Sequence, residues 1–344
     1  MKKINHLYIY LSLLFIISIT TIHSSQNMLS SIYNKLYIKQ IIWYIIGFII
    51  MIIIKKEAKF YIYKLSIYIY IILNILLLGL LIFGKYTNGA RCWYNILGIS
   101  FQPSEFMKIS LIILLSQIIN KQNKNEFNLI IKVFMITIVP SILTFLEPDT
   151  GNVIIYFIIM FTLLFVSKIN YKWFIYIFII IFLALSSIYI IYKYKNDLFI
   201  KLFGLRFNRI LSWKNLSGYQ LNNGLSSIGS AGIIGHGFKN TPLYFPEAWT
   251  DFIFAVYSSN YGYIGSIFLI LLLLSFDLFL IKKAYKKHGT TKYIITGLVS
   301  MLFYQQIQNI GMTIGLLPIT GITLPFISYG GSSLISYFIL LGFI

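Results

Sequence analysis

Nine carboxylates are all that a chain of 344 residues carries. Five of them gather beside prolines: Glu105 behind Pro103, Glu147 and Asp149 on either side of Pro148, and Glu247 and Asp251 just after Pro246. A carboxylate held against a hydroxyl can take its proton as the oxygen attacks, an effect worth about 10²–10⁴ in rate. Asp251 is the first candidate for that base, because it stands with Glu247 and Thr250 at the mouth of a long apolar run. Glu105, Glu147, Asp149 and Glu247 can tune such a site or hold a divalent cation such as Mg or Mn, although no pair has the ligand spacing of a strong metal motif. The lone Cys92 excludes an intrachain disulfide and is read as a small, unreactive residue.

An unusually apolar chain must position these acids. Hydrophobic residues make up 58% of it and charged residues 11%, against about 25% charged in a soluble domain. That composition excludes an ordinary soluble globule and a disordered tail. It also argues against nucleic acid as the partner of the net charge of +19, since a basic groove needs a soluble scaffold. A membrane helix needs about 20 mostly apolar residues. Ten stretches qualify, at roughly 5–23, 38–54, 62–83, 104–120, 128–146, 151–167, 172–192, 251–281, 291–310 and 327–344. The sequence therefore predicts an all-α polytopic membrane protein with about ten transmembrane helices in one domain, 1–344. Unbroken apolar runs argue against a barrel of alternating strands. With the N-terminus inside, the inner connections hold fifteen lysines and the short outer ones five Lys or Arg, so both termini are expected in the cytosol. Lys132 falls within the fifth stretch. Insertion and anionic lipid at the inner surface account for most of the positive charge. Residues 1–24 read as a retained first helix rather than a cleaved signal peptide, because no A-x-A-like site follows them.

On this topology the five proline-associated acids converge on the outer face. Asp197 lies in the one long outer loop, about 193–250, between spans seven and eight, whereas Glu57, Glu126 and Asp277 lie toward the inner side. Two readings stay open. Ser104–Glu105 and Thr250–Asp251 open spans, where a carboxylate favours the helix N-terminus. Alternatively, the acids together line a polar cavity that opens outward. In the long loop, 193–216 mixes Phe, Leu and Ile with Lys201, Arg206, Arg209 and Lys214, which suits an interfacial helix. The five glycines of 224–237 either cradle phosphate with their N–H groups or permit close packing of re-entrant backbone.

Four segments carry a family resemblance. They are Gly89-Ala90-Arg91-Cys92-Trp93 with Gln102-Pro103-Ser104-Glu105; Pro148-Asp149-Thr150-Gly151; Gly218-Tyr219-Gln220 through Gly237 with Pro246-Glu247-Ala248-Trp249-Thr250-Asp251-Phe252; and Asn309-Ile310-Gly311-Met312 through Leu324-Pro325-Phe326-Ile327-Ser328-Tyr329-Gly330-Gly331. This order resembles the SEDS proteins of the RodA/FtsW/SpoVE type, over about 38–344. The resemblance implies ten spans and a peptidoglycan glycosyltransferase of the bacterial cytoplasmic membrane. Such an enzyme polymerises lipid II at the outer face for elongation, division or sporulation. The implied partners are a class B penicillin-binding protein that crosslinks the strands and other membrane proteins of the elongation or division complexes. The family's essential acid falls on Asp251. Four positions depart from the pattern: Cys92 stands where Arg is frequent, Trp249 where His stands, Glu147 where Gln stands, and Ala231 where Gly is common.

Under that resemblance one sugar hydroxyl attacks an anomeric carbon that bears a lipid pyrophosphate. The leaving group is already anionic and needs a cation more than an acid, so one critical carboxylate suffices, unlike the pair of a typical glycosidase. Arg91, Lys108, Arg206, Arg209 and Lys239 are candidate pyrophosphate contacts. Trp93 and Tyr219 are candidates for stacking on sugar or for the interfacial aromatic belt. Glu105, Asp149, Glu247, Thr250 and Ser328 complete the candidate substrate-binding set. Two rival functions remain at this stage. A lipid II flippase suits ten spans, but carriers place polar sites near the midplane and often repeat internally, and no clear repeat is visible. A non-catalytic scaffold for a penicillin-binding protein is the other.

Overall fold

The computed structural model describes residues 6–28, 35–87, 90–96, 99–121, 125–194, 204, 213–214 and 218–344. Arg206 and Arg209, with most of the proposed interfacial helix, lie outside the described residues. Helices dominate: α1 His6–Ser25, α2 Leu36–Ile53, α3 Lys59–Phe83, α4 Pro103–Asn120, α5 Glu126–Leu146, α6 Thr150–Val166, α7 Lys172–Tyr194, α8 Tyr219–Gly229, α9 Ile253–Tyr285, α10 Gly289–Thr313 and α11 Gly331–Leu341. Each of the ten apolar stretches is occupied by one of these helices. Among the described residues, four helical stretches are long and apolar enough by themselves to cross a membrane: His6–Met28, Leu36–Phe83, Glu126–Leu146 and Ile253–Tyr285. The second of these spans 48 residues because a π-helical turn, Ile54–Ala58, joins α2 to α3.

α4 is the central post. Pro103 opens it at a position where its missing N–H removes nothing from the helix. It packs against α3, α5, α6, α10 and α11. Ser104, Ser110 and Ser116 are buried along it, and small residues let neighbouring backbones approach closely. The peripheral helices face the other way: Ile75 and Ile82 on α3, Phe134 on α5, and Phe178 and Phe182 on α7 are exposed. Exposed apolar residues on so many helices mark a lipid-facing surface, and the chain is a multi-pass membrane protein.

The expectation of a wholly helical chain needs correction. Lys85–Thr87 (β1), Ala90–Ile96 (β2) and Ile99–Phe101 (β3) form an antiparallel sheet in the order β1-β2-β3. Its register pairs Tyr94 with Phe101 and Asn95 with Ser100. Across the first hairpin Thr87 pairs with Ala90. A second departure lies in 193–250, where α8 forms although no long apolar run marks it.

α9 is broken at Gly262, whose φ of 63° and ψ of −158° lie outside the helical region. The break strips carbonyls of their helical partners, and the 231–237 segment supplies replacements. His236 N donates to Ser259 O at 2.9 Å and Gly237 N to Asn260 O at 3.1 Å, while Tyr263 N donates to Gly232 O at 3.0 Å and Ile264 N to Ile233 O at 3.2 Å. A Cβ on Gly235 would lie 2.3 Å from Asn260 O, and one on Gly262 would lie 2.4 Å from Gly235 N. The glycines here serve close backbone packing, and the N–H groups of His236 and Gly237 are engaged rather than offered to a phosphate. Gly262→Ala should therefore lower stability by about 1–3 kcal/mol, read as a fall in thermal midpoint in detergent. Gly229→Ala, where an added Cβ meets nothing within 4 Å, should leave the midpoint nearly unchanged. Equal midpoints for the two variants would contradict this account of the break.

Candidate active site

Asp251 lies on a tight turn, Pro246–Phe252, that leads into α9. The turn is bonded to itself. Glu247 adopts a φ of 55°, which side chains rarely favour. Its carbonyl accepts from Thr250 N at 3.2 Å and Phe252 N at 3.0 Å, and its carboxylate Oε2 accepts from the Thr250 hydroxyl at 2.6 Å. Beneath the turn, Phe245, Ala248 and Phe252 pack with Leu221 of α8. An added Cβ on Gly224 would meet the Phe252 ring at 3.0 Å, so α8 lies directly against the turn. Gln220 Nε2 secures the other side by donating to Pro246 O at 3.0 Å.

The segment between α10 and α11 closes over this turn. Ser328 Oγ donates to Thr250 O at 2.6 Å and accepts from Leu324 N at 2.8 Å. Tyr329 N donates to Trp249 O at 2.9 Å. Asn309 on α10 ties both pieces together, its Nδ2 donating to Asp251 O and to Ile322 O at 2.8 Å each. The half-buried Asp251 side chain faces Gly321: a Cβ there would stand 3.5 Å from Asp251 Oδ2.

A second acidic station adjoins the first. Asp149 caps α6, its Oδ1 accepting from Asn152 N at 3.1 Å. Its Oδ2 accepts from Gln102 Nε2 at 3.2 Å, Ser104 Oγ at 3.2 Å and Asn152 Nδ2 at 2.8 Å. Gly151 carries the connection: a Cβ there would lie 2.8 Å from Ile322 Cγ1 and 3.2 Å from Thr320 O. The 320–322 backbone is therefore held between α6 and Asp251. Capping at the helix mouths falls to Asp149, since neither α4 nor α9 has a side-chain N-cap bond.

Glu247, Thr250, Asp251 and Ser328 thus share one locus, and Glu105 and Asp149 belong to the station beside it. Lys108 differs from its reading as a pyrophosphate contact. It is fully enclosed in α4, and its ammonium meets Glu105 Oε1 at 2.7 Å. A buried ion pair of this kind is destabilised strongly by removing either partner. Arg91 stands exposed on β2 with Nη1 donating to Leu81 O at 3.0 Å, and Trp93 beside it is half-buried. Tyr219 opens α8, 61% exposed. Lys239 lines a separate recess of about 380 Å³ with Ser24, Asn27, Thr241 and Tyr244. Sequence reasoning missed a role for Asn309. Its signal is the polar run Gln305, Gln306, Gln308 and Asn309 inside an otherwise apolar stretch, and Gln308 Nε2 likewise holds Pro318 O at 2.9 Å.

Among the described residues, no group of three or more His, Cys, Asp or Glu side chains comes together. The acids are taken up separately by Lys108, by Gln102, Ser104 and Asn152, and by Thr250. This donor set does not fit a resident divalent cation held by carboxylates.

Glu147, just past the end of α5, is 1% exposed, and neither carboxyl oxygen has a hydrogen-bond partner among the described residues. Burial, with the like charge of Asp149 adding to it, pushes its pKa up to about 9. The carboxyl is then protonated at neutral pH and has the charge and shape of glutamine, which is the residue the family pattern carries there. A folded pKa above the unfolded value gives stability that is complete below about pH 4.5 and is lost as pH rises through about 9. The thermal midpoint of the wild type should therefore fall more steeply between pH 7 and 10 than that of Glu147→Gln. Parallel pH curves would contradict a buried neutral carboxyl.

Comparison with known proteins identifies the family and the fold. The model of the FtsW/RodA/SpoVE family, described as cell cycle proteins, matches residues 1–344. A probable peptidoglycan glycosyltransferase FtsW of Wigglesworthia glossinidia brevipalpis is 39% identical over 280 residues, covering 76% of this chain and 70% of that protein. One from Buchnera aphidicola subsp. Baizongia pistaciae is 34% identical over 343 residues, covering 94% and 87%. Among solved structures, a chain of a peptidoglycan synthase complex that coordinates polymerization and crosslinking superposes with a TM-score of 0.78 at 24% identity, covering 96% of this chain and 94% of that one. The rod shape determining protein RodA of Thermus thermophilus superposes at 0.70 with 22% identity, covering 98% and 93%. With its motifs, its fold and these relatives in agreement, the chain belongs to the FtsW/RodA/SpoVE family of cell cycle proteins.

Proposed function

We propose that this protein is a peptidoglycan glycosyltransferase that polymerises lipid II, with Asp251 as the general base. The observation that carries the reading is the presentation of Asp251: a carboxylate on a self-bonded turn, pinned through its own carbonyl by Asn309 and facing bare backbone at Gly321. Asp251 takes the proton of the acceptor sugar hydroxyl as its oxygen attacks the anomeric carbon of the donor. The bond from that carbon to the lipid pyrophosphate breaks, and the pyrophosphate carries away the electron pair. Direct displacement on an α-linked donor gives a β-linked product.

The other roles belong to the same reading. Glu247 and Thr250 hold the turn in shape, and Ser328 locks it to the α10–α11 segment. Asp149 and Glu105, with Lys108 as the buried counter-charge, fix the adjoining station. Arg91 and Lys239, with Arg206 and Arg209 of the 193–250 segment, are the cations assigned to the pyrophosphate, and Trp93 and Tyr219 are assigned to sugar stacking. We place the chain in the bacterial cytoplasmic membrane with ten spans, both termini in the cytosol and the site facing outward. This orientation rests on the lysine distribution. A class B penicillin-binding protein is the proposed partner, supported by the likeness to a peptidoglycan synthase complex.

In vesicles carrying labelled lipid II, the wild type should make glycan polymer, and Asp251→Asn should make at least about 10²-fold less while inserting normally. Translocation of lipid II by the wild type without polymer would overturn the reading in favour of a carrier.

A further inference from the structure

The end of the bundle opposite Asp251 holds a recess of about 680 Å³ between α3, α4 and α5, within the range of about 300–1,000 Å³ that small ligands occupy. Its rim carries three lysines from three different helices: Lys64 in the second turn of α3, Lys121 at the end of α4 and Lys132 in α5. Its floor is apolar, with Leu114, Ile118 and Leu129, exposed Ile67 stands at its edge, and Gln117, Asn125 and Asn128 add polar groups. Among its described lining residues there is no acid. The nearest acid in sequence, Glu126, points elsewhere: its carboxylate accepts from Asn170 N at 3.2 Å and Trp173 Nε1 at 2.9 Å.

Lys132 is the informative member. It stands six residues into α5, about 9 Å along the axis at 1.5 Å per residue, and is exposed among Ile131, Phe134 and Met135, which are exposed too. An ammonium among lipid-facing apolar groups is costly unless it reaches the headgroups or meets an anion. No ion pair holds it among the described residues. Buried Gln117 Nε2 also lacks a hydrogen-bond partner among the described residues. Cationic rim, amide donors and apolar floor match the successive parts of one kind of molecule: a phosphodiester, its polar linkage and the start of its acyl chains.

We infer that this recess is a binding site for the headgroup of an anionic phospholipid. The lysines hold the phosphodiester charge, and Leu114, Ile118 and Leu129 contact the first methylenes. A lipid seated there bridges α3, α4 and α5, and α4 is the helix that carries Glu105 and Lys108 toward the active site. The phosphate chemistry is shared with free inorganic phosphate, but the apolar floor favours the lipid.

Native mass spectrometry of the full chain in detergent, titrated with phosphatidylglycerol or phosphatidylcholine, tests this site directly. The wild type should retain phosphatidylglycerol at least tenfold better than phosphatidylcholine. K64Q/K121Q/K132Q should lose that preference, whereas K282Q/K286Q/K287Q, which removes the same charge from α9 and the connection that follows it, should keep it. The single variant K132Q, a mild change at an exposed position, should weaken retention at least threefold and serves if the triple variant is unstable. Equal loss in both triple variants, or full retention by the K64Q/K121Q/K132Q protein, would overturn the site. Displacement of phosphatidylglycerol by millimolar inorganic phosphate would overturn the lipid assignment.

Discussion

The side-chain amide of Asn309 makes two bonds on which the rest of the site depends. Each N–H meets a backbone carbonyl, of Asp251 and of Ile322, in segments where the chain has left its helices. Within an apolar bundle such a carbonyl has no water to turn to, and leaving it unpaired is costly. The helix ends around Asp251 can therefore stay open only where side chains replace the missing backbone partners. Ser328, Gln308 and Asn309 do this from one side. Gln40 does it from α2, donating to Ser328 O at 3.0 Å and accepting from Gly330 N at 3.3 Å. The position of Asp251 follows from this accounting of backbone groups.

The same constraint explains why the acids are so few and so differently kept. Glu105 has a buried lysine, Asp149 three side-chain donors, Glu247 a hydroxyl at 2.6 Å, and Glu147 a proton. Each solution removes a charge from the low-dielectric interior or satisfies it locally. Asp251 is set apart by its place, on a turn that faces glycine backbone at the meeting of three helix ends.

The helical stretches were legible because long apolar runs mark them. The acid-bearing turns were legible because proline and glycine punctuate them. The hairpin escaped, since a search for apolar runs passes over three short strands. The break in α9 escaped for another reason: Ser258-Ser259-Asn260 and Gly262 fall within one stretch long enough to read as a single span, and the backbone of the 231–237 segment shows why the helix stops there. Lys108 shows a further limit. Its charge could be read from the sequence, but its complete burial against Glu105 depends on helices far away in the chain. The role of Asn309 was hidden similarly, since its partners lie 58 and 13 residues away.

The central claim is that Asp251 acts in chemistry rather than in holding substrate. The most direct measurement sets the equilibrium affinity of Asp251→Asn for lipid II beside its single-turnover rate of glycan bond formation. The account expects affinity within a few-fold of wild type and a rate lower by about 10² or more. A variant that forms the bond at the wild-type rate, or whose whole defect lies in affinity, would contradict it.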